Sequence, residues 1–148
     1  MLFRRSASAP LSVSITTKPN ATAVAAKTTT KQQGDAAEDL ALDYLQKAGL
    51  RLLARNFKTP GRGGEVDLIM RAPDGTLVFV EVRQRKSASH GGAAASVSSH
   101  KQRRIVLAAR FYLARLPKLP PCRFDVLSID GVGEAQRIEW LQAAFDAS

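Results

Sequence analysis

The stretch that decides the fold is GRGGEVDLIMRAPDGTLVFVEVRQRK, residues 61–86. Apolar, largely β-branched residues alternate with polar ones over residues 65–71 and again over residues 77–85, and Pro73-Asp74-Gly75 lies between the two runs. Such alternation indicates strands, and a Pro-Asp-Gly sequence is typical of a tight turn. These residues therefore predict a β-hairpin around which the rest of the chain is arranged.

The length of the hairpin loop decides which side chains share a face of the sheet. A five-residue loop, residues 72–76, places Asp67 opposite Glu81, because side chains alternate between faces along a strand. By the same register, Glu65 faces Arg83. A two-residue turn or a β-bulge would instead separate the two acids. With the longer loop, one face is wholly apolar and predicts a core; it carries Val66, Leu68, Met70, Val78, Val80 and Val82.

The opposed acids form the candidate functional site. Two carboxylates that face each other across a ladder repel and destabilise the sheet. A divalent cation, a shared proton or a nearby positive side chain would each hold Asp67 and Glu81 together, and the residues alone leave these three alternatives open. Carboxylate oxygens are ligands that suit Mg²⁺ or Mn²⁺, so the pair is a candidate metal site.

Length and composition limit the class of protein. The 148 residues suit one ordinary domain, and the single cysteine, Cys122, rules out an internal disulfide and favours a reducing compartment. No apolar run approaches the roughly 20 residues of a membrane span, so we expect a soluble protein with no membrane partner.

The net charge of +9 is unevenly distributed. Five of the 22 lysine and arginine residues and none of the 13 acids fall in residues 1–34, which leaves the remainder at only +4. A positive balance around a cluster of acids indicates a polyanionic partner, of which nucleic acid is the commonest kind. A role of this charge in solubility alone explains the composition equally well.

The first 30 residues are predicted to be a disordered tail, with the domain over residues 31–148. The tail is rich in Ser, Thr and Ala and lacks periodicity, although its acid-free composition also matches an organelle transit peptide. Residues 31–48 have apolar side chains at helical spacing, and Gly49 is expected to end that helix. Residues 50–57 follow as the first strand.

Beyond the hairpin, Ser98 or Ser99 is expected to cap a second helix that Pro117 ends. Residues 122–129 predict a strand, and residues 137–141 an edge strand followed by a short terminal helix at 142–147.

Several charged residues outside the hairpin have two interpretations each. Glu38 is either an exposed acid in the first helix or one that leans toward the sheet. Lys101 and Arg104 begin the second helix, where basic side chains either contact phosphates or are simply solvated. His90 and His100 are expected to be solvated histidines rather than general bases.

The order of elements and their motifs resemble the PD-(D/E)xK, or restriction-endonuclease-like, superfamily. The chain is most similar to the YraN family of small bacterial endonuclease-like proteins, which resemble archaeal Holliday-junction resolvases. The likeness spans about residues 32–148 and rests on Gly34, Glu38, Arg55-Asn56, GEVDLI at 64–69, FVEVRQR at 79–85, Lys101, Arg104 and RFDV at 123–126. It implies an α/β fold with a mixed central sheet flanked by helices in the order αβββαβ.

The resemblance also implies a set of site residues. Asp67, Glu81 and the carbonyl of Val82 would bind Mg²⁺ or Mn²⁺, and Glu38 would complete or orient the site. Arg83 stands where the superfamily usually has a catalytic lysine. Because a guanidinium stays charged, Arg83 can orient or stabilise a phosphate but cannot accept a proton, which leaves activation of the attacking water to the ion.

The expected function is Mg²⁺-dependent endonuclease activity, that is, hydrolysis of phosphodiester bonds in DNA, including branched DNA. Lys101 and Arg104 would bind the nucleic acid, and the analogy with resolvases implies a homodimer in the bacterial cytoplasm. One alternative is a nucleic-acid-binding protein that keeps the nuclease fold with little or no catalytic activity. In a third, the acids form only a structural salt-bridge network with Arg83 and Arg85.

Overall fold

The computed structural model describes residues 29–85 and 97–147. Most of the predicted tail, together with His90, lies outside these ranges. The element order is α1 (Thr30–Lys47), β1 (Arg51–Lys58), β2 (Glu65–Arg71), β3 (Leu77–Arg85), α2 (Ser99–Leu113), β4 (Cys122–Asp130) and β5 (Arg137–Phe145), with short 3₁₀ turns at Pro60–Arg62 and Gly133–Ala135. The predicted order αβββαβ is therefore confirmed, and a fifth strand follows it.

Both helices begin at capped residues. The Thr29 hydroxyl accepts a hydrogen bond from the Gln32 amide at 3.0 Å, and the Gln32 side chain accepts one from the Thr29 amide at 2.9 Å. Ser98 caps α2 in the same way by accepting from the Lys101 amide at 3.1 Å. Such caps satisfy backbone donors that the first turn leaves open. No helix within the described ranges has the length and apolar character to cross a bilayer.

The five strands form one sheet in the order β1-β2-β3-β4-β5. Neighbouring strands are antiparallel except β3 and β4, which run parallel. A parallel pair needs a crossover connection, and α2 lies on that connection. The sheet is consequently mixed, as the sequence predicted.

The hairpin has the predicted five-residue loop. The Ala72 amide donates a hydrogen bond to the Thr76 carbonyl at 2.9 Å, and the paired residues include Leu68 with Val80 and Met70 with Val78. Continued by one residue, this register brings Asp67 and Glu81 opposite each other. The predicted register is confirmed from the pair Leu68–Val80 to the pair Arg71–Leu77.

Both faces of the hairpin are buried, each beneath one helix. The first face packs on α1, whose buried side chains are Ala37, Ala41 and Leu45, and the second face packs on α2. The α1 face comprises Leu68, Met70, Val78 and Val80, and the α2 face Val66, Ile69, Leu77 and Phe79.

One sequence prediction about the faces of these strands is wrong. Val66 packs on the α2 side rather than beside Leu68. The alternation breaks at Asp67, opposite Asn56 of β1, whose φ of 53° departs from strand geometry. Such a break within a strand moves the side chains beyond it to the other face of the sheet, which parity counted from the loop alone does not foresee.

The predicted terminal helix over residues 142–147 is also wrong, because β5 continues to Phe145. Phe145 pairs with Phe124 of β4, and the two rings stack with centroids 5.1 Å apart. β5 bends at Ala143, whose φ is 52°. Asp125 stabilises this bend because it accepts a hydrogen bond from the Ala143 amide at 2.9 Å. A short isolated helix has little stability of its own, so the ladder and the ring contact prevail.

Candidate active site

The two predicted carboxylates meet between the helices. The Glu81 side chain is only 3% exposed, and its carboxyl group is hydrogen bonded to that of Asp67. The Val82 amide donates a hydrogen bond to Asp67 Oδ2 at 2.8 Å. Asp67 is thus fixed by the backbone of β3, and Val82 enters the site through its amide; the predicted role of its carbonyl stays a prediction.

Burial changes the acidity of this pair. The pKa of Glu81 is raised to about 8, mainly by removal from water and then by the charge of Asp67, while Lys101 opposes the shift. Burial likewise raises the pKa of Asp67, against the hydrogen bond from the Val82 amide. Two carboxylates in contact cannot both ionise without compensation, so one proton is shared between them near neutral pH.

Two positive side chains border Glu81. Lys101 Nζ lies 3.4 Å from Glu81 Oε2, and Arg83 Nη1 lies 3.8 Å from the same oxygen. Arg83 Nε is buried and has no hydrogen-bond partner among the described residues. The sequence predicted Lys101 as a phosphate contact and missed its contact with Glu81, because only the packing of α2 on the sheet reveals it.

Glu65 does not pair with Arg83, so that prediction is wrong. The Glu65 carboxylate instead accepts a hydrogen bond from Arg104 of α2 at 3.1 Å. The paired part of β2 and β3 begins at Leu68 and Val80, and the start of β2 pairs with β1 alone. Glu65 is consequently within reach of the helix rather than of β3.

Glu38 leans toward the sheet and is not an exposed acid, so the second of the two interpretations of this residue is correct. Its side chain is 13% exposed and lies 3.4 Å from Arg55 Nε, while Arg55 Nη2 donates to Asp39 at 2.6 Å. Burial raises the pKa of Glu38, with a further contribution from Asp67, and Asn56 hydrogen bonds to its carboxylate. Sequence reasoning noted Arg55 and Asn56 but assigned neither of them a role.

The donor set suits a hard cation with an incomplete protein shell. Within residues 29–85 and 97–147, no three acidic, histidine or cysteine side chains converge on one point that could hold a metal ion. Asp67 and Glu81 alone offer two carboxylates that repel each other, and Mg²⁺ is commonly bound by one or two carboxylates with water filling the remaining positions. The pair therefore fits Mg²⁺ or Mn²⁺.

His100, which the sequence predicted to be a solvated histidine, is exposed at the start of α2.

We expect the free energy of unfolding of the metal-free protein to fall as the pH rises from about 4.5, the ordinary pKa of Glu81, to about 8, its folded value. Over this range the folded state binds more protons than the unfolded state, and the loss is on the order of 2–4 kcal/mol. Glu81→Gln should remove most of this dependence and raise stability at pH 8. Urea unfolding in EDTA across pH 5–9 measures it.

The matched control is Glu134→Gln, because Glu134 is an exposed acid in a turn. It should keep the dependence of the wild type. Parallel stability profiles for the wild type and Glu81→Gln would contradict the shared proton.

Fold and site together define a mixed α/β protein with a buried carboxylate pair, bordered by a lysine and an arginine, between its two flanking helices. Residues 37–129 match the uncharacterised protein family UPF0102, and the chain belongs to this family, the one anticipated from the sequence as YraN.

Several relatives are similar over nearly their whole length. A UPF0102 protein of Albidiferax ferrireducens is 69% identical over 120 residues, which cover 80% of this chain and 91% of that protein. The corresponding protein of Polaromonas naphthalenivorans is 62% identical over 138 residues, covering 89% and 90%. That of Paracidovorax citrulli is 63% identical over 124 residues, covering 83% and 89%.

Among solved structures, the chain overlaps with Pyrococcus furiosus SfsA in complex with Ca²⁺. The identity is 16% and the TM-score 0.36, and the overlap covers 76% of this chain and 63% of SfsA. An overlap this loose bears on neither the site nor the activity.

Proposed function

We propose that this protein is a metal-dependent endonuclease that hydrolyses phosphodiester bonds in DNA. The observation that carries the proposal is the Asp67–Glu81 pair, two carboxylates in contact, one of them almost fully buried, with Lys101 3.4 Å from Glu81. A purely structural role would be served better by apolar residues, since burying like charges destabilises a fold. Perturbed acids of this kind cluster at functional sites.

Each residue has a distinct part in the proposed site. Asp67 and Glu81 hold Mg²⁺ or Mn²⁺, and Glu38, held by Arg55, adds negative charge on the α1 side. When bound, the cation supplies Lewis-acid activation and neutralises charge at the scissile phosphate. Arg83 presents a permanent positive charge that orients the phosphate and stabilises the charge that develops on it.

Lys101 is the candidate for the role that Arg83 cannot perform. A guanidinium group keeps its proton at all ordinary pH values, whereas an amine can release and regain one. Lys101 Nζ lies 3.4 Å from Glu81 Oε2, which is closer than Arg83 Nη1 at 3.8 Å. Lys101 of α2 therefore lies beside the acids, although β3 carries Arg83 where the superfamily usually has a lysine.

A second candidate function is nucleic-acid binding without turnover. Arg83 at the usual lysine position favours it, as does the lack of a third converging ligand within the described ranges. In this case the acids would be held together by their shared proton and by Lys101, without a cation.

A cleavage panel tests the proposal. Labelled single-stranded, duplex and branched DNA, with duplex RNA alongside, are incubated with the protein and Mg²⁺, Mn²⁺ or EDTA. We expect cleavage of at least one DNA substrate with either cation and none with EDTA. Binding of DNA without cleavage under every condition would support the second function instead.

Calorimetric titration with Mn²⁺ separates the two functions independently of substrate. The wild type should bind Mn²⁺, and Asp67→Asn should lose this binding because it removes one of two charged ligands. Asp43→Asn is the matched control, since Asp43 is exposed on α1 and forms a salt bridge with Lys47 at 2.9 Å. No binding by the wild type, or binding unaltered by Asp67→Asn, would contradict a metal site here.

A further inference from the structure

A basic cleft lies beside the carboxylate pair, between the loop that follows β1 and helix α2. Its volume is about 280 Å³. The residues that line it are Lys58, Thr59, Arg62, Gly64, Glu65 and Arg104. Three of these six residues are cationic and one is acidic, so the cleft is positively charged.

The wall of the cleft is a fixed piece of backbone. Thr59 is buried, its hydroxyl accepts a hydrogen bond from the Gly64 amide at 2.8 Å, and its own amide donates to the Gly64 carbonyl at 3.0 Å. A Cβ on Gly64 would lie 2.7 Å from the Ala108 backbone nitrogen, so the loop rests directly on α2. Arg62 is held at a φ of 70°, a conformation that is costly for a residue with a side chain.

The cations of the cleft differ in how their charge is compensated. Arg104 donates to Glu65 at 3.1 Å, which leaves further donors of its guanidinium for a second acceptor. Among the salt bridges within residues 29–85 and 97–147, none involves Lys58 or Arg62. Two exposed cations with no paired acid beside a rigid loop suit an anionic ligand.

The position of the cleft indicates which anion it would bind. Arg104 follows Lys101 by three residues on α2, a rise of about 4.5 Å along the helix axis. Glu65 precedes Asp67 by two residues on β2. The cleft therefore adjoins the carboxylate pair along both elements.

We propose that this cleft binds a backbone phosphate of the nucleic-acid strand next to the phosphodiester that the carboxylate site acts on. The inference rests on the proposed function for its substrate. Lys58 and Arg62 supply the charge, Arg104 supplies directed donors, and Glu65 fixes the orientation of Arg104. Contacts of this kind position a strand without reading its sequence.

Fluorescence anisotropy with labelled duplex DNA, in EDTA at 50–200 mM salt, tests the inference without any cleavage. The double variant Lys58→Gln/Arg62→Gln should bind about tenfold more weakly at 100 mM salt, and the slope of log affinity against log salt should flatten by roughly 1 to 2. Both residues are exposed, so both substitutions should leave the fold intact.

The control is Arg51→Gln/Lys118→Gln, which makes the same change in net charge at two exposed residues outside the cleft. It should change affinity and slope far less. Equal effects of the two double variants, or no binding of duplex DNA by the wild type, would overturn the inference. Binding that depends on Lys58 and Arg62 in a protein that never cleaves would uphold the cleft and refute the nuclease.

Discussion

Glu81→Gln and Asp67→Asn are each expected to abolish cation-dependent cleavage of DNA, by more than about 100-fold, while the protein stays folded. Loss of a group that merely supports a metal ligand already costs 10–100-fold in affinity or activity, and these substitutions remove the ligands themselves. Each also replaces a carboxylate in a buried, mutually repelling pair, so the metal-free fold should be no less stable than that of the wild type.

The measurement is the initial rate of cleavage on the best substrate of the panel, with Mg²⁺ and with Mn²⁺. Glu134→Gln, an exposed acid far along the chain from the site, should cleave as the wild type does. Thermal unfolding of each variant shows that the fold persists. Wild-type rates for both purified variants would refute the assignment of these two acids.

Asp125→Ala is expected to lower the free energy of unfolding by about 3–5 kcal/mol, the usual cost of removing one partner from a buried charged network. Asp125 is fully buried and accepts hydrogen bonds from Arg123 Nε at 3.0 Å, Trp140 Nε1 at 2.9 Å and the Ala143 amide at 2.9 Å. Alanine leaves all of these donors without their acceptor. Urea unfolding at pH 7 gives the difference.

Asp43→Ala is the matched control for a carboxylate in an ion pair of similar length. The pair of Asp43 with Lys47 spans 2.9 Å, but both side chains are more than half exposed, so we expect a change of no more than about 0.5 kcal/mol. Asp125→Asn keeps one acceptor oxygen and should fall between the two. A cost of under about 1 kcal/mol for Asp125→Ala would show that the network contributes little.

The hairpin and the contact between its two acids could be predicted because successive side chains of a strand alternate between the faces of the sheet. A five-residue loop sets the pairing of Leu68 with Val80, and Asp67 and Glu81 are the next residues along the two strands. The helical periodicity of α1 and α2 is equally local, and so is the capping residue Ser98. The two helices and the five-residue loop were therefore predicted correctly, whereas the same alternation placed Val66 on the wrong face and paired Glu65 wrongly with Arg83.

Features that depend on two elements meeting could not be predicted. The contact of Lys101 with Glu81 and that of Arg104 with Glu65 require the placement of α2 on the sheet. The left-handed Asn56 and the continuation of β5 also arise from partners distant in the chain, since the sequence around each favours an ordinary strand or a helix. Local propensity is overridden where tertiary contacts are available.

The bend that Asp125 holds in β5 has a consequence for aggregation. An open sheet offers unpaired backbone groups along its outer strands, and proteins commonly guard such edges with charges or bulges. At one edge, β1 carries Arg51, Arg55 and Lys58; at the other, the ladder of β5 is interrupted at Ala143. Loss of the Asp125 carboxylate would thus free a straighter outer strand, whose unpaired backbone groups can pair with the edge of a second molecule.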